Sequence, residues 1–115
     1  MRAAAGYATS SGEKMPSRNL RILSLTEDDA NALANYIKCC ANDCRLKILC
    51  MLIESEYCVS DIAVLIGLSN SATSQHLARL RSMNLVQTRR SSQIVYYSCS
   101  DPGTIQFLAL LQDLV

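Results

Sequence analysis

Residues 68–98 read LSNSATSQHLARLRSMNLVQTRRSSQIVYYS, and they carry the strongest structural signal in the chain. Ser69 or Asn70 can cap a helix whose apolar residues recur at helical spacing. From Leu85 the hydrophobic period shortens from about 3.6 residues to about 2, and two β-prone segments flank Ser91-Ser92. The stretch therefore predicts a helix followed by a β-hairpin.

A tight turn joins this helix to a shorter one before it. Ser60 is expected to cap the shorter helix, and Gly67 can adopt the left-handed conformation that ends it. The longer helix is expected to end at about Met83, with Asn84 as its C-terminal cap. Two short helices joined in this way form a helix-turn-helix, in which the second helix enters the major groove of DNA.

Three more helices are expected outside this stretch; capping residues open the first two, and a proline tolerated in the first turn marks the start of the last. Their expected limits are Thr26 to about Ala41, Asn42 or Asp43 to Glu54-Ser55-Glu56, and Asp101-Pro102 onwards. The order is therefore α-α-α-α-β-β-α, a mainly α fold with a β-hairpin wing, which is a winged helix-turn-helix. Residues 25–115 are predicted to form this single domain, and residues 1–24 a flexible tail in which Met15 is an alternative start.

The charges are distributed unevenly along the 115 residues, although the net charge is only +1. Residues 69–98 contain four arginines and no acidic residue, whereas the other seven basic and ten acidic residues leave the remainder at −3. One basic surface on a nearly neutral protein indicates contact with a polyanion. Double-stranded DNA is the partner that this pattern and the helix-turn-helix predict together.

The predicted recognition helix and wing supply the expected DNA contacts. Leu77 and Leu80 would pack inward with Ala72 or Thr73, which leaves polar residues on the outer face. Glutamine can pair with adenine in two places, and hydroxyls and arginines bind bases or phosphates. The candidate DNA-binding residues are Ser69, Asn70, Ser71, Thr73, Ser74, Gln75, His76, Arg79, Arg81, Arg89 and Arg90.

Several segments resemble the ArsR/SmtB family of winged-helix regulators. They are ANDCRLKILC at residues 41–50, residues 68–81, residues 85–90 and residues 95–98, and the resemblance extends over roughly Leu33 to Leu114. It implies a homodimeric repressor whose first and last helices form the dimer interface. Each protomer would bind half of an inverted-repeat operator and release it on a signal.

Metal is one signal that the resemblance suggests. The family's metal box has two cysteines flanking a valine, but here Cys58 and Val59 are followed by Ser60. A soft-metal site needs two or three converging thiolates, and His76 is the one histidine in the sequence. Cys58 is therefore a weak candidate ligand, no cofactor is predicted, and a metal-responsive repressor is kept as an alternative.

Thiol chemistry is the other suggested signal. The sequence most resembles the family branch of the HlyU and BigR regulators, which senses oxidants or reactive sulfur through one cysteine on the second helix and another near the end of the last. Cys50 matches the first position, and no cysteine follows Cys99 in the chain. Cys99 is the candidate substitute partner, while simple packing of Cys50 in the core is the competing interpretation.

Other classes of protein are disfavoured. The six cysteines come without an export signal, which favours reduced thiols and a cytoplasmic location, and no apolar run approaches the length of a membrane span. An enzyme is not expected, because no carboxylate pair, activated nucleophile or glycine-rich phosphate loop is evident. A winged-helix protein-interaction module without DNA binding is the remaining alternative, and the uncompensated arginines argue against it.

Overall fold

The computed structural model describes residues 24–115. Within it, Asn35–Val115 forms one compact unit, and residues 24–34 belong to a separate unit. The predictions of a flexible N-terminal tail and of an alternative start at Met15 lie outside the described residues, apart from Ser24. No helix of the described part is long and apolar enough to cross a bilayer.

Helices dominate the described chain, and a small antiparallel sheet accompanies them, as predicted. In chain order the elements are α1 (Glu27–Cys40), α2 (Asp43–Glu54), β1 (Tyr57–Cys58), α3 (Val59–Ile66), α4 (Asn70–Ser82), β2 (Gln87–Ser91), β3 (Ile94–Ser98) and α5 (Pro102–Gln112). The strands are ordered β1-β3-β2, so β3 lies in the middle. The α3–turn–α4 pair followed by the β2–β3 hairpin is the winged helix-turn-helix that the sequence predicted.

Side chains cap four of these helices at their predicted starts and satisfy backbone N–H groups that have no partner inside the helix. The structure also resolves two alternatives, since Asn42 rather than Asp43 caps α2, and Ser69 rather than Asn70 caps α4. The capping bonds run from Asp29 N to Thr26 Oγ1 (3.0 Å), Arg45 N to Asn42 Oδ1 (3.0 Å), Ala72 N to Ser69 Oγ (3.0 Å) and Thr104 N to Asp101 Oδ2 (2.9 Å).

The prediction that Ser60 caps α3 was wrong. The helix begins at Val59, its N-cap is Cys58, and Ser60 lies within the first turn. The chain before it forms β1, a strand that the sequence did not predict, in which Tyr57 pairs with Tyr97. A two-residue strand is too short to show an alternating pattern, and its pairing with β3 comes from residues about forty positions away.

Left-handed residues terminate both helices of the helix-turn-helix. Gly67 has φ +83°, and the N–H groups of Gly67 and Leu68 both donate to the carbonyl of Ala63, at 2.8 and 3.0 Å. Asn84 has φ +59°, and the following N–H donates to the carbonyl of Leu80 at 3.0 Å. Gly67 is the C-terminal cap that the sequence predicted for α3, whereas the C-cap of α4 is Met83 and Asn84 is the left-handed residue that follows it. Both left-handed residues fix the exits of their helices.

The core holds α4 in place. Ile48, Leu49 and Leu52 of α2 are buried with Ile62 of α3, and the cluster includes Leu77 and Leu80 of α4. Because this inward stripe of α4 follows the i, i+3, i+4 spacing of a helix, the opposite face is turned to solvent.

Candidate nucleic-acid interface

The outer face of α4 is polar, exposed and free of acidic residues. Ser69 caps the helix, and its hydroxyl hydrogen remains free to donate because the bond to Ala72 uses only the oxygen. The helix N-terminus carries a partial positive charge that favours anions. The exposed predicted contact residues are Ser69, Asn70, Ser71, Ser74, Gln75, Arg79 and Arg81.

Thr73 does not belong to this face, and its prediction as a DNA contact is corrected. Its exposure is 0%, and its Oγ1 has no hydrogen-bond partner in the described structure. Thr73, Leu77 and Leu80 lie at i, i+4 and i+7, so Thr73 continues the inward stripe. The sequence predicted that either Ala72 or Thr73 packs inward. The structure fully buries Thr73, and Ala72 is half-buried.

His76 is half-buried beside a residue whose role the sequence did not reveal, Arg45. One guanidinium nitrogen of Arg45, Nη1, lies 3.2 Å from Nδ1 of His76, and Nε of Arg45 donates to the carbonyl of Cys39 at 2.6 Å. A guanidinium can only donate, so Nδ1 accepts and the imidazole proton is on Nε2. Arg45 therefore ties the end of α1 to α4 and leaves His76 with one N–H that can face a ligand.

A second contact joins α1 to α4. The thiol of Cys39 approaches the backbone carbonyl of Arg79 at 3.8 Å, and Ser82 Oγ donates to the same carbonyl at 2.8 Å. These bonds use only the backbone of Arg79, whose side chain is exposed. The recognition helix is thus anchored through its buried side while its arginines point outward.

The two wing arginines have different surroundings. Arg89 pairs with Tyr96 and Arg90 with Val95 in the β2–β3 register, and consecutive strand residues point to opposite faces. The guanidinium of Arg89 lies over the Tyr96 ring, 4.8 Å from its centroid, and binds the carboxylate of Glu56. The side chain of Arg90 is exposed and has no hydrogen-bond or ion-pair partner among residues 24–115.

The Arg89–Glu56 contact is bidentate. Nη2 donates to Oε1 at 2.8 Å and Nε donates to Oε2 at 3.0 Å. These hydrogen bonds hold the pKa of the exposed Glu56 carboxyl below its usual value, so Glu56 stays ionised at neutral pH. The sequence did not reveal this pairing, because 33 residues separate the partners.

Cys50 and Cys99, the two candidate sensor thiols, differ in access. Cys50 is exposed, and it lies at the edge of an apolar cavity of about 610 Å³ lined by Leu46, Met51 and Ile66 among others. Cys99 is only 3% exposed and belongs to the core. Burial raises the pKa of the Cys99 thiol, and the charges of Asp101 and Cys50 add to the increase. Cys99 is therefore a core residue with little access to solvent, and its role as the partner thiol of Cys50 stays a prediction.

Cys58 is a half-buried residue of β1. Within residues 24–115, no group of three or more histidine, cysteine or acidic side chains is arranged to hold a metal ion.

The sequence is similar to those of known proteins. Residues 42–88 match the family model described as bacterial regulatory protein, arsR family. The chain is 44% identical to the nodulation protein NolR of Rhizobium meliloti over 87 residues, 76% of this chain and 71% of that protein. It is 38% identical to the transcriptional activator HlyU of Vibrio cholerae over 95 residues, 83% of this chain and 87% of that protein.

Solved structures share the fold. The crystal structure of NolR from Sinorhizobium fredii superposes with a TM-score of 0.74 at 40% identity, covering 78% of this chain and 93% of that one. A homodimeric winged helix-turn-helix DNA-binding domain from Mycobacterium bovis, solved by NMR, gives a TM-score of 0.70 at 30% identity over 79% of this chain and 87% of that one.

Proposed function

The chain belongs to the ArsR family of DNA-binding transcriptional regulators, as its motifs predicted, and we propose that it is a homodimeric repressor of an inverted-repeat operator. In this proposal α4 binds base edges and the wing holds the DNA backbone. One observation carries it, namely the exposed and acid-free outer face of α4, held rigidly from behind. Because DNA is the ligand, the proposed place of action is the bacterial cytoplasm.

Base recognition is assigned to the N-terminal half of α4. Asn70 and Gln75 are exposed there, and their amides can pair with adenine in the major groove. Arg79 and Arg81 follow on the same helix and fit phosphates, as does the free Nε2–H of His76. Arg90 supplies an uncompensated charge on the wing.

The dimer is assigned to α1 and α5. Ile37 on α1 is 55% exposed, and Leu110 and Leu114 at the end of the chain are 67% and 72% exposed. Large aliphatic side chains gain about 1.5–3 kcal/mol each when they are fully buried, so a second copy that covers them stabilises both. The homodimeric Mycobacterium bovis relative supports this assignment.

Binding to the DNA upstream of the chain's own coding region tests the proposal. Gln75→Ala should reduce the preference for operator over random DNA by about tenfold, because one bidentate base contact is lost. Arg90→Gln should weaken binding to both DNAs equally and lower the salt dependence by about one ion for each protomer, or about two for the dimer. Lys47→Gln, which removes an exposed charge from α2, is the matched control and should change neither.

Two results would contradict the proposed repressor function. Binding that does not depend on salt, or no binding to any inverted repeat in that region, would contradict the repressor and favour the protein-interaction alternative.

Chemical modification of Cys50 is the signal that we assign to the repressor. Cys50 is exposed on α2, and its neighbour Lys47 is also exposed on that helix. With hydrogen peroxide, the thiolate sulfur attacks one peroxide oxygen, the O–O bond breaks, and Cys50 becomes a sulfenic acid while the other oxygen leaves as hydroxide, protonated to water. No second protein thiol takes part.

A comparison of two serine variants tests this assignment. Peroxide or a persulfide should release operator DNA from the wild type and from Cys58→Ser but not from Cys50→Ser. If soft metal ions release the DNA and Cys58→Ser abolishes that response, the metal-responsive alternative is right. Equal responses in the wild type and both variants would exclude both cysteines as sensors.

A further inference from the structure

The Arg89–Glu56 pair is too exposed to be explained by fold stability. The side chains of Arg89 and Glu56 are 55% and 40% exposed. Exposed ion pairs typically contribute little to stability, because water screens the charges and two long side chains must be ordered. The contact matters more for the electrostatic field of the wing than for the free energy of unfolding.

Glu56 places a negative charge directly beside a wing arginine. Its Oε1 lies 2.8 Å from Nη2 of Arg89, so the two charges cancel at distances much larger than this. A phosphate that approached the free side of the Arg89 guanidinium would also lie within about one Debye length of the carboxylate, roughly 8–10 Å at physiological salt. That phosphate would therefore be attracted by Arg89 and repelled by Glu56.

We infer that Glu56 is a built-in counter-charge that weakens the hold of the wing on the DNA backbone. The inference rests on the proposed contact between the wing and DNA. Arg90 points to the other face of β2 and keeps its full charge, so the wing carries one active arginine and one compensated arginine. Sequence-independent affinity is thereby limited, and discrimination is left to α4.

The stacking on Tyr96 distinguishes this role from a positioning role. If the role of Glu56 were only to orient Arg89 toward a phosphate, Glu56 would have to be the main contact that holds the Arg89 side chain in place. The guanidinium lies 4.8 Å from the centre of the Tyr96 ring, and such a contact orients an arginine without adding negative charge. Tyr96 therefore keeps Arg89 in place when Glu56 is neutralised.

The test compares DNA binding by Glu56→Gln, Arg89→Gln and the double variant across a range of salt concentrations. Glutamine keeps the shape and one acceptor oxygen of Glu56 but removes its charge. Glu56→Gln should bind operator and random DNA about fivefold more tightly at about 0.1 M salt, with a salt slope steeper by about 0.9 for each protomer, or about 1.8 for the dimer. Glu56→Asp, which keeps the charge, should bind as the wild type does.

The double variant separates the two roles. It should return close to wild-type affinity and salt slope, because the net charge of the pair is then zero again. If Glu56 only positions Arg89, Glu56→Gln would weaken binding, and the double variant would match Arg89→Gln. Equal or weaker binding by Glu56→Gln therefore overturns the inference. Thermal melting of each variant checks that all of them are folded.

Arg90→Gln distinguishes failure of the inference from failure of the proposed function. If Arg90→Gln weakens binding while Glu56→Gln does not strengthen it, the wing contacts DNA but Glu56 is no counter-charge. If Arg90→Gln leaves binding unchanged, the proposed wing contact itself is wrong, and the inference falls with it.

Discussion

At the scale of single residues, two fully buried threonines show how a hydroxyl group depends on its partners. Thr104 Oγ1 donates to Asp101 Oδ2 at 2.9 Å and accepts from the Tyr36 hydroxyl at 3.1 Å. Thr73 Oγ1 has no partner in the described structure. An unpaired buried hydroxyl costs free energy that an apolar group of the same shape does not.

Replacing each threonine with valine should therefore change stability in opposite directions. Thr73→Val should raise the free energy of unfolding by up to about 1 kcal/mol, and Thr104→Val should lower it by about 1–3 kcal/mol. Urea denaturation measures both. Thr73→Val should also leave DNA affinity unchanged. A loss of affinity would instead indicate that Thr73 contacts DNA, as the sequence predicted.

At this same scale, the sequence predicted which side chains are exposed better than it predicted which side chains contact one another. Exposure of Gln75 and Arg79 followed from helical spacing alone. The compensation of Arg89 by Glu56 did not, because it depends on how β1 and β2 lie on either side of β3. Arg45 was visible only as part of a family motif, and its bond to His76 required the packing of α2 against α4.

At the scale of elements, most helix starts were predictable because the interactions that cap a helix are local. A cap is formed within three or four residues, as at Thr26, Ser69 and Asp101, so the sequence contains the whole interaction. β1 was not predictable, because its two residues acquire strand structure only by pairing with β3. The start of α3 was misplaced for the same reason, since β1 leads directly into it.

Gly67 makes a prediction at this scale. Its φ of +83° disfavours any residue with a Cβ, although an added Cβ would meet no atom within 4 Å. Gly67→Ala should therefore lower the free energy of unfolding by about 1–2 kcal/mol through backbone strain alone. Asn84→Gly, at a left-handed position that already holds a side chain, should leave stability unchanged or raise it. Equal stability of Gly67→Ala and the wild type in urea would contradict this account of the turn.

At the scale of the whole molecule, the exposed aliphatic side chains of α1 and α5 predict the assembly. Ile37→Asp and Leu110→Asp should each dissociate the dimer, because a charge would be buried in the interface. Sedimentation velocity measures this directly, and both variants should lose operator affinity. Val64→Asp is the control, since Val64 is also apolar and exposed but lies on α3. A wild-type monomer in solution would refute the interface.

The central claim is that a dimer of this chain recognises an inverted repeat through two copies of α4. Selection of bound duplexes from a random-sequence DNA pool by the purified protein tests it, because every candidate operator competes in the same pool. The enriched DNA should contain two symmetric half-sites whose centres are about 10–10.5 base pairs or a multiple apart. Enrichment of no sequence, or of a single half-site without its symmetric mate, would contradict it.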